Sequence, residues 1–286
     1  MMTGRKNIYE LISENFDVNR ELKNIKDLWR KRHIIEYHAR YEHIYAADCT
    51  VESFVNTYYF SGWKARGFCI SCSDMRTRID QLEEGMSVED KLISCLEYYT
   101  NILQLFISKA QPSDNYVCEC KISKDLYILS QNLDLLIEKL NHHVIYDENL
   151  DFHYIVPKSA EAIAAAEISS DKTGLAILKY HHALLKGQLE EKRQILEAIA
   201  TENEQLLKKP PQECKTLCDK TRGLINTMNI RHNNTKESEV FAKLSPKEQE
   251  EWYDEIYQML LLCILENDNI ARMKKVKQMF KDMKEE

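Results

Sequence analysis

Ser245-Pro246-Lys247-Glu248 constrains this chain more than any other stretch. Serine can accept the N–H three residues on, proline suits the first helical position, and glutamate can reach back to the serine amide. The helix this opens is apolar through Trp252, Ile256, Leu260 and Ile264, with a face around residues 259–265 wide enough for burial nearly all round. Such a face requires other elements to cover it. With only 7 Gly and 5 Pro, the chain has few turn residues, so long helices rather than a many-turned sheet supply the cover.

The length of 286 residues allows one large domain or two modest ones with real cores. A net charge of -7 argues against a whole-molecule electrostatic grip on nucleic acid and leaves room for a local basic patch. The longest apolar run, residues 259–265, is far short of a membrane span and reads as a core helix. The first residues lack the apolar segment of a secretory signal, so no membrane association and a cytoplasmic location are expected. An odd count of 9 cysteines then argues against a disulfide framework. Cys69-x-x-Cys72 and Cys118-x-Cys120 have the thiolates for zinc, but free cysteines usually behave as small apolar residues, and no metal or cofactor is expected.

Taken in order, the pattern predicts a short helix at residues 6–15 and a long one over 18–47, with Leu22, Ile25, Leu28, Trp29, Ile35 and Ile44 apolar. On that helix His33, Glu36, Arg40 and His43 would share one side, as a solvated face of paired charges. A helix over 51–60 breaks at Ser61-Gly62. Trp63-Lys64-Ala65-Arg66-Gly67-Phe68 then interleaves aromatic and basic residues, a mixture that stacks bases and holds phosphates, or else anchors a helical corner with Lys64 and Arg66 exposed. Ser87-x-x-Asp90 caps a helix striped by Leu92, Leu96, Tyr99, Leu103 and Phe106. Ser123 caps another through Leu126, Leu129, Leu133, Leu136 and Leu140.

Residues 142–156 break the habit, with Val144-Ile145-Tyr146 and Phe152 to Val156 flanking the turn-like Asp147-Glu148-Asn149. His142, His143 and His153 fall here without a carboxylate at helical ligand spacing, so they read as loop histidines. Two helices, 175–185 and 189–207, meet at Lys186-Gly187. A further helix carries Cys214, Leu217, Cys218, Leu224, Ile225 and Met228 on one face and ends at Arg231-His232-Asn233-Asn234. A cation in the last turn and an asparagine cap account for that ending structurally. Beyond Asn269, Arg272, Lys274, Lys275, Lys277 and Lys281 read as a basic, solvated tail.

The expected fold is all-α: a multi-helix bundle in two packed halves, with a short hairpin or extended crossover near the middle. The divisions are residues 1–143, 144–157 and 158–286.

Ile230-Arg231-His232-Asn233-Asn234, with residues 252–259 and Asp268-Asn269 downstream, resembles helical proteins of bacterial genomes and, more distantly, the HEPN superfamily of small helical bundles. The family motif is Arg, a polar residue, a short gap and His. Arg231-His232 matches its start and lacks the second His; Arg32-His33-Ile34-Ile35-Glu36-Tyr37-His38 matches all of it. The resemblance implies a homodimeric defence or toxin-type protein that cleaves RNA without metal and answers to a protein partner or antitoxin. Arg32 and Arg231 would stabilise charge on the phosphorane, His38 would take the 2′-OH proton, and His232, Asn233 and Asn234 would orient the RNA, with Lys64 and Arg66 as further contacts. The alternative is a non-catalytic helical module that docks a protein or nucleic acid.

Overall fold

The computed structural model describes residues 16–39, 43–109, 124–231 and 236–285. Among these the protein is mostly helical, with twelve α-helices and two antiparallel two-stranded sheets. It forms two compact units, Met1–Ile155 and Val156–Glu286. The expected helix at residues 6–15, the cap at Ser123 and the pair Cys118/Cys120 lie outside the described residues.

In the first unit, α1 (Val18–Trp29) opens on Asp17, whose carboxylate accepts the Asn19 N–H at 2.9 Å. The expected helix over 18–47 does not continue past Trp29. An antiparallel hairpin follows, β1 (His33–Ala39) and β2 (His43–Cys49), with His33 opposite Cys49 and Ala39 opposite His43. Ile34, Ile35, Tyr37, Ile44 and Tyr45 are β-branched or aromatic and suit a pleated surface better than a helix. Burial alternates as a strand requires: Ile34 is 68% exposed while Ile35 is buried. The helical side that was to gather His33, Glu36 and His43 therefore does not form.

Thr50 caps α2 (Val51–Tyr58), and Ser71 caps α3 (Cys72–Leu82). The unit is built around α4 (Val88–Lys109), which is buried on every side from Leu92 to Leu103 and again at Leu105 and Phe106. Its Ser87 cap accepts the Asp90 N–H at 3.1 Å, as the spacing predicts. Trp29 lies flat against Tyr99, ring centroids 4.1 Å apart, and donates its indole N–H to the Glu52 carboxylate at 2.7 Å. Phe54 meets the edge of Phe106. On α5 (Lys124–Lys139), Leu126, Leu129 and Leu133 are buried along the expected stripe, which continues to Leu140 just beyond the helix.

The expected mid-chain hairpin is present as β3 (His142–Asp147) and β4 (Phe152–Pro157). Asp147 accepts the N–H groups of Asn149 and Leu150, closing the turn. β4 is held by side chains of α4. Asn101 both accepts the His153 N–H and donates to its carbonyl, each at 2.7 Å, and Glu97 accepts the Ile155 N–H at 2.7 Å. Two buried polar side chains thus stand where a third strand would otherwise satisfy the backbone.

The second unit contains α6 (Ala160–Glu167), α7 (Asp171–Lys179), α8 (Leu189–Glu202), α9 (Glu204–Lys208), α10 (Lys215–Thr227), α11 (Lys236–Phe241) and α12 (Pro246–Glu285). The helix expected over 175–185 ends early: α7 stops at Lys179, a 3-10 turn covers Ala183–Leu185, and Gly187 before α8 takes φ +78°, a conformation that favours glycine. The expected 189–207 helix is interrupted at Asn203, which separates α8 from α9. Gly174 lets α7 approach α6: a Cβ there would come within 2.9 Å of the Ala166 carbonyl oxygen.

α12 opens as its sequence predicts. Ser245 donates its N–H to Glu248 at 2.8 Å and accepts the Glu248 N–H at 3.3 Å. Tyr253, Ile256, Tyr257, Leu260, Leu261 and Ile264 make its core face, and Cys218 and Ile225 of α10 join the same core. Burial is not complete around residues 259–265, because Leu262 is 51% exposed.

Candidate functional site

The residues carrying the motif resemblance are divided between the units. Arg32 precedes β1, and its guanidinium bonds Asp48 of β2, through the carboxylate at 3.1 Å and also through the backbone carbonyl. His38 lies within β1. Six residues span roughly 20 Å in a strand, against roughly 9 Å in the helix expected there, so the strand moves Arg32 and His38 apart.

Arg231 follows α10 and is largely buried, its side chain 14% exposed. Its guanidinium donates to the Ala200 carbonyl in the last turn of α8 and lies 3.6 Å from the Glu204 carboxylate. It ties the end of α10 to the α8–α9 joint. His232, Asn233 and Asn234 lie outside the described residues.

Lys64 and Arg66 sit in a short 3-10 turn. Arg66 folds back, donating to the Ser61 carbonyl at 3.0 Å and the Cys69 carbonyl at 2.9 Å, while Lys64 is exposed. Trp63 is buried and donates its indole N–H to the Asp151 carbonyl at 2.9 Å. This stretch is a helical corner in which the tryptophan and arginine hold the backbone.

In the same unit, Trp63, Asn101, Gln104, Ser108, Tyr146, Asp151 and His153 line a cleft of about 220 Å³. Tyr146 donates to Asp151 at 2.9 Å, and its ring packs on His153. Burial holds His153 below its ordinary pKa of 6.5, so the ring favours its neutral form. Burial also pushes the Cys72 thiol up to about 12, which keeps it protonated at neutral pH. Among the described residues, no group of three or more His, Cys, Asp or Glu side chains is placed to hold a metal ion.

The strongest polar cluster fixes α12 to α8. Lys192 is 4% exposed, and its ammonium lies 2.8 Å from both Glu250 and Asp254 on α12. It also sits 4.9 Å from the centre of the Tyr180 ring, which stacks on Tyr257 at 4.1 Å. Glu250 accepts the Gly187 N–H at 2.9 Å, so one carboxylate clasps both the lysine and the α7–α8 loop. This is how a buried ammonium becomes tolerable: two anions and an aromatic face replace its water.

His181 packs edge-on against Tyr180 and Tyr257. Burial lowers its pKa below 6.5, with Lys192 adding to the effect and Asp254 and Glu250 opposing it. A histidine with a depressed folded pKa takes up protons more readily when unfolded. Its stabilising contribution is therefore present above 6.5 and lost as pH falls through the folded value. In the His181→Gln variant, the loss of second-unit stability as pH falls below 6.5 should be shallower than in the wild type. Urea melts below pH 6.5, followed by fluorescence in a Trp29→Phe/Trp63→Phe background where Trp252 is the remaining tryptophan, would read it, and unchanged slopes would refute it.

α12 then runs on beyond its core. Ile270 is the last buried residue, and residues 271–284 are exposed. This arm extends about 21 Å. It carries Met273, Val276, Met279, Phe280 and Met283, from 39% to 71% exposed, beside the cations expected there as a solvated tail. Met273, Val276, Phe280 and Met283 follow the 3-4 spacing of a coiled-coil seam. The cations hid this stripe in the sequence, although its spacing was readable.

At the other end of α12, Glu248, Glu251, Trp252 and Glu255 join Leu244 around a groove of about 530 Å³. Trp252 remains 39% exposed there. An acidic groove with an apolar floor and a basic arm with an apolar stripe thus occupy opposite ends of one continuous helix. None of the described helices is long and apolar enough to cross a membrane. The chain matches no family model, no curated protein and no solved structure.

Proposed function

We propose that this chain is a non-catalytic helical binding module whose docking element is the arm of α12. The observation that carries the reading is the exposed seam of Met273, Val276, Phe280 and Met283, presented on a helix that the Lys192 cluster holds in place. An apolar stripe at that spacing is unfavourable in water, and a complementary helix or groove relieves it. The arm needs no induced folding to bind, because α12 is continuous from the core into it.

The competing proposal is HEPN-like, metal-independent cleavage of RNA by Arg32, His38, Arg231 and His232. It requires an arginine able to face a developing phosphorane charge. The Arg231 bonds to Ala200 and Glu204 and the separation of Arg32 from His38 along β1 favour the binding reading instead.

The two proposals part on one assay. Purified wild type and the Arg32→Ala/His38→Ala and Arg231→Ala/His232→Ala variants are incubated with labelled single-stranded RNA, with and without EDTA. The binding reading expects intact RNA in every lane. Wild-type cleavage that persists in EDTA and disappears in one of the variants would replace it with the RNase reading.

A further inference from the structure

Besides the arm itself, α12 presents a second, outward-facing stripe along most of its length. From Glu248 it steps by four and three residues through Trp252, Glu255, Met259, Leu262, Glu266 and Asn269, and continues as Met273, Val276, Phe280 and Met283. Trp252 and Leu262 are 39% and 51% exposed, and Met259 and Glu266 are half-buried. The inward face, from Tyr253 to Ile270, belongs to the core of the second unit. One helix therefore carries two seams, and the outer one lacks a cover among the described residues.

Charge along this outer seam is polarised. The amino-terminal end holds Glu248, Glu251 and Glu255; the carboxy-terminal end holds Lys277, Lys281 and Lys284. A parallel pairing of two copies would set acid on acid and base on base. An antiparallel pairing sets each end against its opposite.

We infer that the outer seam of α12 docks against the same seam of a second copy of this chain, antiparallel, about a two-fold axis near residues 267–268. This rests on the reading of the arm as a docking element and names its partner. In that register Trp252 lies opposite Met283 of the second copy, Met259 opposite Val276, and Leu262 opposite Met273. Phe280 reaches the acidic groove beside Glu255.

At the axis Glu266 lies opposite Asn269, so an amide donor meets a carboxylate there, and Glu255 opposite Phe280 is the other polar position between Trp252 and Met283. Lys284 faces Glu251, and Lys281 falls within a turn of Glu255. Every match occurs twice, as an isologous interface requires. Polar residues at single seam positions are a known means of fixing register.

The test uses the full chain in sedimentation equilibrium at concentrations up to about 100 μM, a range that detects affinities of micromolar order. The substitutions fall on exposed or half-exposed positions, and circular dichroism confirms that each variant is folded. Wild type is expected to be dimeric. Glu251→Lys/Glu255→Lys and Lys277→Glu/Lys281→Glu/Lys284→Glu should each weaken the dimer at least tenfold. Mixed in equal amounts, the two variants should form a heterodimer, because each reversed end then meets an opposite charge.

Failure of the mixture to reassociate overturns the antiparallel pairing. A wild type that stays monomeric overturns self-docking and leaves the arm as a docking element for another chain. A wild-type dimer unaffected by either reversal and by Met273→Glu/Phe280→Glu shows that the copies meet elsewhere, and removes the arm from the association altogether.

Discussion

Replacing Trp29 by alanine is expected to destabilise the first unit by about 3–5 kcal/mol, the range for deleting a large buried aromatic. Trp29 is 5% exposed and lies flat on Tyr99, so its loss opens a void beside α4 that cannot be filled without moving the helix. The Glu52 carboxylate also loses its indole donor. Urea unfolding followed by far-ultraviolet circular dichroism reads the effect. The expected pattern is an early transition from the first unit, with the second unit, followed by amide hydrogen exchange of its own peptides, opening at its wild-type midpoint. A single shared shift of both signals would mean that the units unfold together. A shift below about 1 kcal/mol would mean that the Trp29–Tyr99 stack contributes little beyond ordinary surface contact.

Replacing Lys192 by alanine is expected to cost the second unit about 2–4 kcal/mol, somewhat below the usual range for breaking a buried pair because Asp254 stays partly exposed to water. The cost arises mainly from what remains. Glu250 and Asp254 would face each other across the vacated site without a cation, close to the Tyr180 ring. Adding Glu250→Gln and Asp254→Asn to Lys192→Ala should therefore recover part of the loss, although each of these two changes alone should destabilise the wild type. Chemical denaturation of the wild type, Lys192→Ala, Glu250→Gln/Asp254→Asn and the triple variant forms the required cycle. If the triple variant were no more stable than Lys192→Ala, repulsion between the carboxylates would not be the cause, and lost packing of the lysine stem would be.

How far the sequence disclosed the protein depends on the range of the interactions concerned. The start of α12 was legible because a capping box is local: Ser245, Pro246 and Glu248 are neighbours in the chain. The hairpin at residues 142–157 was legible because Asp147 closes its turn through its own next residues. β1 and β2 were not, since Ile35 follows Leu28 by seven residues, about two helical turns, and the alternating exposure of Ile34 and Ile35 shows only after folding. Arg231 looked available for chemistry from its neighbours in sequence. What occupies it is the carbonyl of Ala200, thirty-one residues earlier. Lys192, Glu250 and Asp254 share no motif, and a span of about sixty residues separates the lysine from both acids. The arm lay between these cases, its spacing readable and its cations pointing elsewhere.

α12 is gripped over its first two-thirds and unsupported over its last third, so it is also a lever. A helix transmits tilt with little bending over this length, and with Met283 about 20 Å beyond Ile270 a rotation of about 10° there carries it sideways by about 3 Å. That distance is about the reach of a side-chain contact, enough to lift the seam away from whatever it meets. The angle is set by the whole buried face of α12, from the clasp of Lys192 on Glu250 and Asp254 to Ile270. A small rearrangement in the interior of the second unit would thereby be magnified at its far end into a displacement large enough to make or break contact.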